Sequence, residues 1–227
     1  MKPLDTRAFL TNLPLFRELE PQEIERVAQS TQQVRVLRGE TLFKRGDPCT
    51  GIHALVYGQV KLSFISSQGD EKVVDIIGPG ETFGEALMFM DKPYIVSAQA
   101  LADSLLLHVS KAAIFEELER HPAFARRMLA GLSWRLHKLV RDVEAYSLRS
   151  GTQRVIGYLL RDEQAQPVAG PFQVTLPASK GIIASRLNLT PEHFSRILHD
   201  LAAAGLIEVE GRTITIKEVE KLRAYDR

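Results

Sequence analysis

The sequence predicts an α+β protein built of an antiparallel β jelly roll, a long central helix and a winged helix-turn-helix, in that order. Short β-prone runs punctuated by glycine fill residues 34–109, which hold eight of the 15 glycines. A heptad pattern then runs from Ala125 to Tyr146. The last third joins two helical runs to a pair of short β patterns. We therefore predict a β domain at 1–120, a long helix at 121–149 and a third domain at 150–227.

The composition excludes several classes of protein. The 227 residues are 44% hydrophobic and 25% charged, which is typical of a globular chain. No apolar run is long enough to span a bilayer, and the first ten residues lack the apolar core of a signal peptide, so we expect a cytoplasmic protein without membrane contact. The single cysteine, Cys49, excludes an intramolecular disulfide framework, a four-cysteine zinc site and an all-cysteine iron–sulfur cluster within one chain.

The charges are unevenly placed although the net charge is only +1. Residues 1–119 hold 12 Lys+Arg against 17 Asp+Glu, whereas residues 120–149 hold 7 against 2 and residues 150–227 hold 10 against 9. Different segments are therefore expected to do different tasks, and any contact with nucleic acid must be local. No nucleophile elbow, P-loop or metal-ligand cluster is present in the sequence, so we do not expect an enzyme.

Residues 5–31 are predicted to form two short helices before the β domain. Asp5 can cap the first helix, and Pro21 opens the second at a first-turn position, where its missing N–H costs nothing. The β-prone pieces that follow are separated by turns every several residues, which is typical of an antiparallel barrel or jelly roll. These pieces are TLFKR, IHALVY, QVKLSFI, EKVVDII, IVSAQAL and SLLLHV.

The central helix carries an apolar seam that predicts a homodimer. Its steps alternate between four and three residues, with basic side chains on the other faces. Such a seam favours a partner helix, and the alternative is a helix that packs on its own β domain. The predicted dimer interface consists of Leu129, Leu132, Leu136, Leu139 and Val143. Pro122 begins this helix, and Ser150-Gly151 is the predicted hinge at its end.

The segment from Ser179 to Gly205 has the spacing of a helix-turn-helix. Ala184 is the small residue of the first helix, and Asn188 falls at the turn, where asparagine adopts the left-handed conformation more readily than most residues. Thr190 is the predicted N-cap of the second helix. The second helix should bury Phe194, Ile197, Leu198 and Leu201, and LIEVE-GR-TITI predicts a two-stranded wing. The alternative is a helical hairpin that does not contact DNA.

The exposed side of the second helix has the chemistry to recognise double-stranded DNA. Arg196 can pair with guanine O6 and N7, Glu192 can accept from cytosine N4, and Ser195 can bond several bases. We expect these three side chains to contact base edges. A second set is expected to contact the phosphate backbone or to make secondary contacts: Ser179, Lys180, Arg186, Thr190, His193 and His199.

Over essentially its whole length, the chain resembles the CRP/FNR superfamily of bacterial transcription regulators. The most specific parts are Gly84-Glu85 after GPGETF and the helix PEHFSRILHDL, in which Glu192-x-x-Ser195-Arg196 is similar to the E-x-x-S-R pattern of the FNR branch. This resemblance implies an effector-sensing domain of the cyclic-nucleotide-binding type at residues 1–120. It also implies a homodimer on double-stranded DNA, a TTGAT-type inverted repeat as the site, and RNA polymerase as a partner.

The sensor half departs from the two best-known branches. Cyclic-nucleotide binders hold the phosphate with an arginine about ten residues after the Gly-Glu pair, but residues 94–98 here contain no cation, so cAMP is not expected. A four-cysteine iron–sulfur cluster is excluded by the cysteine count. The segment EALMFMDKPYIVSAQA is instead similar to the DNR group, whose members regulate denitrification. That resemblance implies haem as cofactor and nitric oxide as signal.

The predicted effector pocket consists of Gly84, Glu85, Met88, Phe89, Leu129 and Leu132. The axial ligand stays open among His53, His108, Cys49, Met88 and Met90. Met88, Phe89 and Met90 could alternatively be ordinary core residues. We therefore predict a DNA-binding regulator controlled by an effector, with three alternatives: a CRP-like regulator that uses another ligand or none, a module that does not bind DNA, and a cupin-like enzyme.

Overall fold

The computed structural model describes residues 4–66, 68, 71–148, 150–160 and 171–225. For residues 134, 135, 138, 139 and 141–148 it describes the backbone alone. The chain divides into an N-terminal unit up to Leu139 and a C-terminal unit from Val140 onward. Among the described residues, no helix is long and apolar enough to cross a membrane.

The N-terminal unit begins with two short helices and continues into an antiparallel sheet. Asp5 caps the first helix through its carboxylate, and Pro21 opens the second, as the sequence predicts. The helices are α1 (Thr6–Thr11) and α2 (Pro21–Gln29), and the strands and small helix that follow are β1 (Thr31–Val36), β2 (Thr41–Phe43), β3 (Gly51–Ile65), β4 (Glu71–Ile77), β5 (Thr82–Phe83), α3 (Glu85–Phe89) and β6 (Ser97–Ser110).

All pairings in this sheet are antiparallel, and the long strands β3 and β6 form its centre. The strand order is β1-β6-β3-β4, while β2 also pairs with β6 and β5 with β3. Register shifts between Leu55 and Val60 bend β3 where it passes along β6. Gly58 lies in this bend with a φ of +92°, and a Cβ there would lie 2.1 Å from the Ser104 hydroxyl oxygen. Only glycine fits this position without displacement.

Two apolar clusters fill the N-terminal unit. One lies inside the barrel and includes Phe43, Leu55, Phe83 and Leu106. The other joins one end of the barrel to the helices, and it brings together Leu10, Phe16, Ile24, Met88, Ile114 and Phe124. Burial of this many large side chains supplies the main driving force for folding of the unit.

Buried ion pairs hold the helices of the second cluster together. Arg26 of α2 donates two hydrogen bonds to Glu117, at 2.6 and 2.8 Å, and this guanidinium lowers the pKa of the Glu117 carboxyl. Arg127 forms ion pairs with Glu20 and with the buried Glu23. Two helices that follow the barrel take part in these contacts: α4 (Lys111–Arg120) holds Glu117, and α5 (Pro122–Leu148) holds Arg127. The start of the chain is therefore fastened to both helices after the barrel.

The long helix α5 presents an exposed apolar row. Leu129, Leu136 and Val140 are 62%, 63% and 57% exposed, and they are spaced seven and four residues apart. Leu132 differs from the prediction, because it is half buried against the cluster that contains Met88. The side chains of Leu139 and Val143, also predicted for the dimer interface, lie outside the described part of the structure.

The C-terminal unit continues from α5 as a small helical domain with a three-stranded sheet. The elements are α6 (Gly151–Leu159), β7 (Phe172–Thr175), α7 (Lys180–Arg186), α8 (Pro191–Ala203), β8 (Ile207–Glu210), β9 (Thr213–Ile216) and α9 (Val219–Arg223). The sheet order is β7-β9-β8, with β8 and β9 forming the predicted hairpin. The Ser150 hydroxyl caps α6 at the predicted hinge. The secondary structure thus agrees with a winged helix-turn-helix.

Candidate nucleic-acid interface and sensor site

The turn between α7 and α8 is built from caps and one left-handed residue. Leu187 ends α7, and Asn188 follows with a φ of +57°, as its place in the sequence predicts. The Thr190 hydroxyl then accepts a hydrogen bond from the His193 amide at 3.2 Å, and Pro191 occupies the first position of α8. Local chemistry therefore fixes where α8 begins.

Helix α8 is divided sharply into a buried and an exposed face. Its buried residues are Phe194, Ile197, Leu198 and Leu201, all of which were predicted. The opposite face exposes Glu192, Ser195, Arg196 and His199, at helical spacings of three, one and three residues. The structure thus brings the three residues predicted to contact bases together on one accessible surface.

The residues predicted to contact the DNA backbone have more varied surroundings. Ser179 and Thr190 use their hydroxyl oxygens as helix N-caps. The Arg186 guanidinium lies 5.9 Å from the centre of the Tyr158 ring, in a cation–π arrangement. His193 adjoins the start of α6, since a Cβ added to Gly151 would lie 3.2 Å from its Cε1 atom. Lys180 is half buried at the first position of α7.

Arg212 is a further candidate contact that the predicted sets do not contain. It is exposed at the turn of the wing, directly after Gly211, whose φ is +61°. The Arg212 carbonyl accepts from the Leu176 amide at 2.8 Å, which holds the wing against the end of β7. The Gly-Arg pair between two short β patterns is the signal that could have found it. A cation at a wing tip is suited to a phosphate contact.

The residues predicted to line the effector pocket divide into a packed and an exposed group. Gly84 has a φ of +95° and precedes the buried Glu85 at the start of α3. Met88 is fully buried, and Phe89 and Leu132 pack on the same apolar cluster. Leu129 does not join them, because its side chain is exposed on α5. The packing of Met88 and half-buried Phe89 is compatible with the alternative that they are ordinary core residues, and Met90 is 57% exposed.

A cluster of polar and aromatic side chains lies beside Gly84 inside the barrel. The His53 Nε2 atom lies 3.2 Å from the Tyr94 hydroxyl, and the His53 and His108 rings are 4.8 Å apart. The Cys49 thiol donates to the Gly84 carbonyl at 3.5 Å, and Tyr94 stacks on Phe43. Three of the five ligand candidates are thus neighbours, which sequence spacing alone did not predict.

Burial controls the protonation of this cluster. Desolvation, reinforced by the nearby His108, lowers the pKa of His53 to about 3. Burial also lowers the pKa of His108 and raises that of the Tyr94 hydroxyl. Both imidazoles and the phenol are therefore neutral at physiological pH.

The cluster does not fit a haem. Phe83 stacks on His53 with ring centres 5.1 Å apart, and Phe43 lies 5.7 Å away, so the ring already has close neighbours where a macrocycle would have to lie. His108 Nε2 is engaged with the Thr50 hydroxyl at 3.1 Å. In the part of the chain that the structure describes, no group of three or more His, Cys, Asp or Glu residues could hold a metal ion.

Comparison with known proteins places both units in families. Residues 33–121 match the cyclic nucleotide-binding domain and residues 153–225 the Crp-like helix-turn-helix domain. The chain is 26% identical over 215 residues to a CRP-like cAMP-activated global transcriptional regulator of Mycobacterium tuberculosis, covering 94% of this chain and 96% of the relative.

Two solved structures are similar over nearly the whole chain. A candidate cyclic nucleotide binding protein of Ruegeria pomeroyi is 33% identical with a TM-score of 0.71, over 96% of this chain and 95% of the other. DNR from Pseudomonas aeruginosa is also 33% identical, with a TM-score of 0.57, over all of both chains. These similarities confirm the predicted fold class.

The buried histidine generates a prediction about acid stability. Between pH 6.5 and about 3, His53 binds a proton in the unfolded chain but not in the folded one, so the folded state loses stability as the pH falls. His53→Phe should remove this loss, which amounts to about 2 kcal/mol between pH 7 and pH 5. Urea unfolding at the two pH values measures it. His121→Phe, at an exposed position, serves as the control, and parallel pH slopes for wild type and His53→Phe would contradict the assignment.

Proposed function

We propose, since the chain belongs to the CRP/FNR family of transcription regulators, that it is a homodimeric, sequence-specific DNA-binding regulator whose affinity for DNA is set by an effector in the N-terminal unit. The relatives with named activities are transcription regulators and not enzymes. The helix-turn-helix is the DNA-binding element of the family. Membership of the family is shown, whereas the dimer, the base contacts and the effector of this chain are proposals.

The exposed face of α8 is the observation that carries the proposal of sequence recognition. Glu192, Ser195 and Arg196 lie within one turn and a half of its N-terminus, where a recognition helix meets the major groove. Arg196 would donate two hydrogen bonds to a guanine, which discriminates by about 1–3 kcal/mol against other bases. Together with the E-x-x-S-R resemblance, this supports a TTGAT-type half-site.

The exposed row on α5 supports a homodimer. Three large aliphatic side chains that are each more than half exposed are unfavourable on an isolated helix, and a second copy of the helix would cover them. Ser133 lies in the same row, so the proposed seam runs through residues 129, 133, 136 and 140. Leu129 and Leu136 of the predicted interface belong to this seam, Leu132 packs against the apolar cluster of its own unit, and Leu139 and Val143 stay predictions.

A dimer of this kind recognises a palindrome. Two-fold symmetry presents the two copies of α8 to half-sites about one helical turn apart. An effector that binds one arrangement of the helix pair more tightly than another shifts the population toward it, and so changes the spacing of the two recognition helices. RNA polymerase is the expected partner of the DNA-bound dimer.

Haem and nitric oxide are the proposed cofactor and signal, and denitrification genes the proposed targets. The support is the similarity to DNR over the full chain and the absence of any cation from residues 94–98. The packed rings around His53 do not favour haem at that position. A CRP-like regulator that binds another small ligand, or none, is the alternative, and the closed apolar cluster around Met88 favours it.

Replacing Arg196 tests sequence recognition. Arg196→Ala should lower affinity for a palindrome of TTGAT half-sites by at least tenfold, while weak, salt-sensitive binding to scrambled DNA persists. Fluorescence anisotropy with both DNAs measures the ratio. Arg223→Ala, which removes the same charge at α9, should keep the wild-type ratio. Equal weakening on both DNAs would instead make Arg196 a phosphate contact.

Replacing Leu136 tests the dimer seam. Leu136→Lys places a charge at the centre of the proposed helix pair, where burying it without a partner is costly, so sedimentation velocity should detect monomers. Met90→Lys changes an equally exposed apolar residue outside α5 and should leave the dimer intact. A Leu136→Lys protein that remains dimeric rejects the seam.

Titration with ferrous haem under anaerobic conditions tests the effector. If haem is the cofactor, visible absorption should record a saturable Soret band of one haem per chain that shifts on adding nitric oxide. Spectra indistinguishable from free haem would remove haem from the proposal. The proposed DNA recognition does not depend on this outcome.

A further inference from the structure

Arg154 of α6 contacts the turn of the helix-turn-helix. Its Nη1 atom donates to the Leu187 carbonyl at 2.7 Å and lies 3.4 Å from the Asn188 carbonyl. These carbonyls are at the C-terminal end of α7, where the helix dipole presents negative charge and the chain turns through the left-handed Asn188. A guanidinium is well suited to this position, because it supplies both a full positive charge and directed donors.

Two further contacts show that α6 packs on both helices of the motif. At its first residue, a Cβ on Gly151 would lie 3.2 Å from Leu189 Cδ2 and 3.4 Å from Ile197 Cδ1, so α6 begins close against the turn and α8. Near its end, the Tyr158 ring lies beneath the Arg186 guanidinium of α7. Arg154 occupies the middle of this surface, between the two contacts.

The Arg154 side chain is half buried, and its guanidinium contacts the protein backbone. Its Nε atom is fully buried and has no hydrogen-bond partner among the described residues. The Nη1 atom donates to the backbone of the turn. A partly buried guanidinium that contacts carbonyls helps to fix the geometry of the segment that carries them.

We propose that Arg154 is a positioning residue for sequence recognition, because it holds the turn from which α8 departs and so sets the direction in which Glu192, Ser195 and Arg196 point. Base contacts depend on orientation far more than phosphate contacts do, since a bidentate pair fails after a small rotation. Loss of Arg154 therefore affects the reading of sequence more than the binding of DNA in general. The inference rests on the proposed recognition by α8.

The experiment compares Arg154→Ala and Arg154→Lys in the full-length protein with wild type. Anisotropy is measured on the TTGAT palindrome and on scrambled DNA at several salt concentrations. For Arg154→Ala we expect specific affinity to fall about tenfold or more, nonspecific affinity to change less than about twofold, and the dependence on salt to stay the same. Lysine supplies the charge and a single donor nitrogen but not the planar fork, so Arg154→Lys should recover part of the loss.

Arg223→Ala is the charge-matched control, because it removes one cation from the same unit at a position paired with Glu220. A loss that is equal on both DNAs, with a salt dependence reduced by about one phosphate contact, overturns the proposal by making Arg154 a backbone contact. Unchanged specific affinity in both variants also overturns it. If circular dichroism finds Arg154→Ala unfolded, the lysine variant decides: a loss confined to the palindrome supports positioning, and wild-type affinity rejects it.

Arg196→Ala in the same series separates this inference from the proposed function. If Arg196→Ala keeps specific binding, recognition through α8 is itself wrong. If Arg196→Ala loses specific binding and the Arg154 variants do not, α8 recognises the site but Arg154 does not position it.

Discussion

A contact between two stretches of backbone decides which face of the central helix stays exposed. A Cβ on Gly131 would lie 2.7 Å from the Leu15 carbonyl oxygen, so the segment between α1 and α2 rests directly on α5. Arg127 of α5 also pairs with Glu23 of α2, and Arg26 of α2 pairs with Glu117 of α4. With Phe124, Met128 and Leu132 turned inward by this contact, the row through Leu129, Leu136 and Val140 must face outward. The proposed dimer therefore depends on how the first thirty residues pack.

Much of the fold could be predicted because its signals are local. Each of these signals acts over a few residues: the glycines between β-prone runs, the apolar spacing of α8, and the capping residues Asp5, Ser150 and Thr190. The heptad pattern was less informative. An apolar row with steps of four and three residues does not show whether its side chains face the partner helix or the core of their own unit. Leu132 was predicted both for the dimer and for the effector pocket, and its half-buried place against the cluster that contains Met88 depends on packing with distant segments.

The candidate site was predictable on the DNA side and less so elsewhere. The exposed face of α8 follows from helical periodicity, and so the base-reading residues could be named from the sequence. The approach of Cys49, His53, Tyr94 and His108 depends on the register of β3 against β6, which no short pattern specifies. Arg154 was missed for a similar reason, since its partners are carbonyls about 33 residues away that any sequence would supply.

The neutral histidines of the barrel have a consequence for the signal that the protein can detect. With its pKa near 3, His53 stays neutral throughout the range of pH that a living cell experiences. A change in proton concentration in that range therefore does not charge this imidazole. A molecule that entered beside His53 would have to displace the packed rings of Phe43, Phe83 and Tyr94, and the energy for that displacement would come from its own binding.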